Sequence, residues 1–101
     1  MRFSIKSVIA FLAVATPSAL AYVNGPCNGM RGACIDYNEC YNYGGNSYVG
    51  YCPGTGNNIR CCQVYRTSRD GRSGPCLPTE LCSEESLPGY CPGGSNVQLC
   101  V

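Results

Sequence analysis

The sequence predicts a small disulfide-rich fold: two tandem cysteine repeats with short β-hairpins and single helical turns, and the rest mostly loop. Three observations carry this expectation: ten cysteines in 101 residues, an apolar leader at the amino end, and a cysteine pattern that occurs twice. So many cysteines in a short secreted chain form a covalent framework, because thiols oxidise outside the cell and a chain this small buries little apolar surface.

Arg2 and Lys6 give the leader a positive start, Val8 to Val14 is apolar, and Thr16-Pro17-Ser18 breaks the run. Ala19-Leu20-Ala21 then places small residues at both positions read by a signal peptidase, so residues 1–21 read as a signal peptide cleaved after Ala21. A membrane anchor needs about 20 apolar residues; this stretch is shorter and holds a proline. The expected location is secreted and extracellular.

Residues 22–101 carry five arginines (Arg31, Arg60, Arg66, Arg69, Arg72) against six acids (Asp36, Glu39, Asp70, Glu80, Glu84, Glu85), a net charge of −1. Binding to nucleic acid or an anionic membrane requires a clustered basic surface, which this balance does not supply. Histidine is absent, no C-x2-C pair occurs, and the only lysine leaves with the leader. A zinc site, a Ser-His-Asp or Cys-His centre and a lysine nucleophile are therefore excluded. Glu84 and Glu85 are neighbours in a polar loop, unlike carboxylates facing each other across a cleft. The chain reads as non-catalytic, with no cofactor and no metal.

The repeat organises the rest. Gly50-Tyr51-Cys52-Pro53-Gly54 recurs as Gly89-Tyr90-Cys91-Pro92-Gly93; Asn57 aligns with Asn96, Cys61 with Cys100 and Gly32 with Gly74. Cys34 and Cys40 are six apart, as are Cys76 and Cys82. The expected organisation is repeat 1 at 22–62, a linker at 63–75 and repeat 2 at 76–101. In this alignment Cys27 and Cys62 have no counterpart, since Arg69 and Val101 stand in their places. Loss of both together is expected of a bonded pair, which predicts Cys27–Cys62. Adjacent Cys61 and Cys62 should have separate partners. Three pairings remain open for the four cysteines left in each copy. First with third and second with fourth is preferred: Cys34–Cys52 and Cys40–Cys61, then Cys76–Cys91 and Cys82–Cys100.

Local patterns are short. Ser47-Tyr48-Val49-Gly50-Tyr51 alternates like a strand, with a matching strand ending near Tyr90, and residues 57–61 and 96–100 could return as hairpin partners. The two Cys-Pro-Gly triplets carry turn chemistry. Residues 36–40 and 78–82 suit single helical turns, with Asp36 as a cap and Pro78 at a permitted start. The segment 63–75 is polar after Tyr65 and reads as a solvated loop, its arginines open to proteases.

All eight tyrosines lie in 22–101, and four fall between residues 41 and 51 among Asn42, Gly44, Gly45 and Asn46. A tyrosine offers a flat apolar ring and a hydroxyl, and asparagine a donor and an acceptor. Sugars present a C–H face and hydroxyls, which makes Tyr41, Tyr43, Asn46, Tyr48 and Tyr51 candidates for glycan binding. Core filling by tyrosine in place of Phe and Trp is the competing role.

The order Gly25-Pro26-Cys27, Gly32-Ala33-Cys34-Ile35, Cys40, Gly44-Gly45, Gly50-Tyr51-Cys52-Pro53-Gly54, Cys61-Cys62 resembles a duplicated cysteine-rich module of secreted fungal proteins. That module is found at the amino end of some fungal lysozymes (muramidases) and peptidoglycan endopeptidases. The resemblance spans nearly all of 22–101 and implies a non-catalytic accessory role, binding wall glycan built on N-acetylglucosamine, peptidoglycan or chitin. The expected partner is a cell-wall polysaccharide or glycopeptide. The alternatives are a small secreted effector or toxin-like protein acting on a host or microbial surface protein, and a protease inhibitor presenting Arg66 to Arg72.

Overall fold

The computed structural model describes residues 20–101, so the predicted signal segment lies outside the described residues except for Leu20 and Ala21. Two antiparallel sheets make up the fold. The first, ordered β1-β3-β2, holds β1 (Ala33–Asp36), β2 (Asn46–Tyr48) and β3 (Ile59–Gln63), with a short helix α1 (Tyr37–Asn42) between β1 and β2. The second, ordered β4-β5-β7-β6, holds β4 (Tyr65–Thr67), β5 (Ser73–Pro78), β6 (Ser86–Leu87) and β7 (Val97–Cys100), with one 3-10 turn at Thr79–Leu81.

Local chemistry explains these elements. The Asp36 carboxylate accepts from the Asn38 N–H at 2.8 Å, capping α1. Gly44, at φ +82°, supplies the left-handed turn that stops it. In the recurring Gly-Tyr-Cys-Pro-Gly segments all four glycines adopt positive φ: +94° and +88° at Gly50 and Gly54, +90° and +95° at Gly89 and Gly93. Other residues rarely tolerate that conformation, which accounts for the glycines in both segments.

Residues 63–75 are not a linker. Val64 alone separates β3 from β4, and its carbonyl accepts from the Cys76 N–H at 3.0 Å, so one extended run passes from the first sheet into the second. Burial alternates along this spine: Cys62 and Val64 are buried and Arg66 half-buried, while Gln63, Tyr65 and Thr67 are exposed. β4 and β5 form a hairpin in which Tyr65 faces Pro75 and Thr67 faces Ser73. The polarity of 63–75 reflects the exposed side of a hairpin and its tip.

The sheets also share a core. Ala33, Ile35, Cys40, Cys62 and Val64 pack with Cys76 and Val97, so residues from both halves close one interior. A second cluster, Cys34, Cys52 and Cys61, lies on the other face of the first sheet, covered by Cys27, Met30, Tyr51 and Ile59. The amino-terminal strap seals the halves together. Asn24 accepts from the Gly94 N–H through its side chain at 2.8 Å and from the Asn96 amide through its carbonyl at 2.7 Å. The Tyr22 hydroxyl donates to Glu80 at 3.1 Å.

All ten cysteines are bonded: Cys27–Cys61, Cys34–Cys52, Cys40–Cys62, Cys76–Cys91 and Cys82–Cys100. Two expected pairs, Cys27–Cys62 and Cys40–Cys61, are thereby corrected. Successive residues on β3 point to opposite faces. Cys61, opposite Cys34, turns to the face where Cys27 lies; Cys62, opposite Ala33, turns to the face where α1 brings Cys40.

In the structure Cys100 corresponds to Cys62, one residue beyond the counterpart that the sequence spacing suggests. Cys34 stands opposite Cys61, but Cys76 stands opposite Leu99. Ser47 stands opposite Cys62, and Ser86 opposite Cys100. A Cβ on Gly32 would collide with the Cys62 carbonyl, and one on Gly74 with the Cys100 carbonyl. The Tyr37 N–H donates to the Asn58 carbonyl, and the Thr79 N–H to that of Asn96. On every count Cys62 takes the place of Cys100, and the loop after Cys52 has one residue more than the loop after Cys91. The cysteines without a counterpart are then Cys27 and Cys61, which bond each other, and fully buried Leu99 fills the place of Cys61.

Replacing Cys27→Ala with Cys61→Leu should leave the other four bridges intact and lower stability by about 2–4 kcal/mol. Replacing Cys27→Ala with Cys62→Ala should strand Cys40 and Cys61 on opposite sides of β3. Alkylation of each secreted double variant, read by mass spectrometry, should label thiols only in the second.

Candidate binding face

β2 is an edge strand, paired on one side only with β3. Its alternation puts Asn46 and Tyr48 on one face, opposite Gln63 and Cys61, and turns Ser47 to the other, opposite Cys62. Asn46 is exposed and Tyr48 is 38% exposed. Tyr51 belongs to the same face but is half-buried, packed on the Cys34, Cys52 and Cys61 cluster. Of the five candidates, Asn46, Tyr48 and Tyr51 are thus brought to one side of the first sheet.

Tyr41 and Tyr43 are placed otherwise. Tyr41, on α1, is 77% exposed, while α1 itself is tied to the opposite face of the sheet through Cys40–Cys62. Tyr43 packs against the shared core, and the Arg66 guanidinium lies over its ring at 5.0 Å. Arg66 also donates to the Tyr43 carbonyl at 3.2 Å and to the Tyr90 carbonyl at 3.1 Å, so it clasps the two halves. This arginine, expected in a solvated loop, is half-buried between two backbone acceptors and an aromatic ring.

The alternation along β3 brings in residues that the tyrosine-rich stretch alone did not indicate. Gln63 lies two positions beyond Cys61 on the exposed side, and Tyr65, 72% exposed, two beyond Gln63. With Arg31 they border a cleft of about 120 Å³ whose walls include Val64, Pro75 and Leu77. The Gln63 amide donates to the Arg31 carbonyl at 2.9 Å. The available signal in the sequence was the odd-numbered series 61, 63, 65, hidden because the expected strand stopped at Cys61.

A second, shallower cleft of about 320 Å³ lies under the β4–β5 tip, lined by Arg69, Arg72, Leu87, Pro88 and Tyr90 among others. The tip is braced. The Ser68 N–H donates to the Arg72 carbonyl at 2.7 Å, the Arg69 N–H to the Tyr90 hydroxyl at 3.1 Å, and the Ser68 hydroxyl to Asp70. Arg72 bridges Asp70 at 3.0 Å and Glu85 at 2.8 Å, so Glu85 is paired and not merely solvated. The Ser68 hydroxyl, and secondarily Arg72, hold the Asp70 carboxyl below its ordinary value. The Glu85 hydrogen bond leads the contacts that raise Arg72 above its own.

No protein-family model matches the chain, and no solved structure does. The chain is 41% identical over 85 residues, 80% of its length, to an uncharacterized secreted protein of Arthroderma benhamiae. It spans 34% of that relative, about a third. With a secreted relative and every cysteine paired, this is a secreted, cysteine-rich, disulfide-bonded protein.

Two outcomes are expected from this geometry. Tyr43→Ala should lower stability by about 1–3 kcal/mol and Tyr48→Ala by no more than about 0.5 kcal/mol, measured by chemical denaturation of the oxidised proteins. A depressed carboxyl stabilises the fold above its unfolded pKa and loses that contribution as pH falls through the folded value. Protection of the Arg72 amide, which donates to Ser68 Oγ at 3.1 Å, should therefore hold above about pH 4 and fall below it. Amide hydrogen exchange followed by NMR reads this, and Asp70→Asn should abolish the acid-dependent step.

Proposed function

We propose that this protein is a non-catalytic binder of cell-wall glycan, built from two copies of one cysteine unit. The observation that carries the reading is the exposed face of the first sheet, where Asn46 and Tyr48 stand side by side on a free edge strand. An apolar ring next to an amide suits the C–H face and hydroxyls of a sugar. The cross-links support it: Cys61, opposite Tyr48, is held by Cys27, so the face is ordered before a ligand arrives and little entropy is lost on binding. The resemblance to the module of fungal muramidases and endopeptidases points to the same ligand class.

The inhibitor reading is disfavoured by the tip itself. Peptides bind their receptors as added strands when extended, whereas Ser68 to Arg72 is folded into a closed turn. Nothing in that turn leaves an extended stretch to offer a protease.

In a sedimentation assay, the oxidised wild-type protein should be retained on insoluble peptidoglycan or chitin. Tyr48→Ala, which leaves the fold intact, should weaken retention about two- to ten-fold. Folded wild-type protein recovered wholly in the supernatant with both polymers would overturn the reading.

A further inference from the structure

The cleft between Arg31, Gln63 and Tyr65 continues the face that bears Asn46 and Tyr48, because Asn46 stands directly opposite Gln63. From Cys61, opposite Tyr48, to Tyr65 is four residues along the spine, about 13 Å at the rise of a strand. That is the reach of a short oligosaccharide. We propose that the cleft is a subsite for an acetamido group, and that Arg31 pairs with a carboxylate of the lactyl or peptide substituent carried by the same or the adjoining sugar. The ligand class is then an acidic, N-acetylated glycan of the peptidoglycan type, in preference to neutral chitin. This deepens the glycan-binding reading and rests on it.

Size decides what enters. A dry cavity of about 150 Å³ admits a single benzene ring, so an open cleft of about 120 Å³ matches a sugar's substituent better than its ring. Its chemistry matches an acetamido group. Val64, Pro75 and Leu77 offer apolar wall to the methyl. One N–H of the Gln63 amide is held by the Arg31 carbonyl, which leaves its second N–H to donate to an acetamido carbonyl and its Oε1 to accept the acetamido N–H. The exposed Tyr65 ring stands at the mouth, where the sugar's C–H face would lie.

Charge decides the preference. Arg60 and Arg66 lie over the Tyr37 and Tyr43 rings, Arg72 is held by two carboxylates, and Arg69 lines the other cleft, under the β4–β5 tip. The Arg31 guanidinium has no partner among the described residues, and no carboxylate lines its cleft. A lone cation at the edge of an acetamido-sized recess selects for a neighbouring anion.

The oxidised wild-type protein, Arg31→Gln, Tyr65→Ala and the charge-matched control Arg69→Gln are sedimented with insoluble peptidoglycan and with chitin, at low and high salt. Wild type is expected to favour peptidoglycan. Arg31→Gln should reduce that preference about two- to five-fold, as high salt does, while Arg69→Gln leaves it unchanged. Tyr65→Ala should weaken retention on both polymers. Equal retention of wild type on the two polymers, or equal effects of the two arginine variants, would overturn the subsite while leaving the glycan reading standing. Retention on neither polymer would overturn both.

Discussion

The architecture depends on one property of an extended chain: neighbouring residues face opposite ways. Cys61 and Cys62 are consecutive, so their bonds leave β3 in opposite directions, one to Cys27 and one to Cys40 on α1. The strand is thereby fastened on both faces at one point, and both small cores are gathered around it. A shift of register by one residue would send each sulfur to the wrong side. The bridges fix the register as well as the compactness.

Much of this was legible from the residues. The Asp36 cap and the turn at Thr79–Leu81 after Pro78 follow from local chemistry, which is what short patterns encode. So do the hairpins around the Cys-Pro-Gly turns, although their first strands end at Tyr48 and Leu87, short of the expected Tyr51 and Tyr90, before Gly50 and Gly89 take positive φ. The spine was not legible. Gln63 to Thr67 looks like polar loop because it packs on one side only, and the packing partners, Pro75, Cys76 and the Tyr43 ring, are distant in sequence or belong to another element. The disulfide exchange at Cys61 and Cys62 was equally hidden. A one-residue insertion in a glycine- and asparagine-rich loop leaves no trace in composition, and only cross-strand partners reveal it.

The candidate face shows the same division. Composition drew attention to the tyrosines between 41 and 51, and the structure separates them by role: Tyr43 belongs to the core with Arg66, Tyr51 to a disulfide cluster, and Tyr48 with Asn46 to a free edge. Gln63, Tyr65 and Arg31 join that edge only once β3 is seen to run on into β4. An extended strand shared by two sheets gives a small protein a longer continuous exposed face than either hairpin alone could present.

The amino-terminal strap carries a consequence for biogenesis. Asn24 bonds to Gly94 and Asn96, partners 70 and 72 positions later. During vectorial export Asn24 must wait for partners that emerge much later, and contacts of such sequence separation form late. The bridges from Cys27 to Cys62 can close while the second sheet is still emerging, so oxidation of one half can precede docking of the other. Until residues 93–97 are delivered, the Ile35 side of the shared core stays open to solvent, the interval in which an export chaperone would have to shield it.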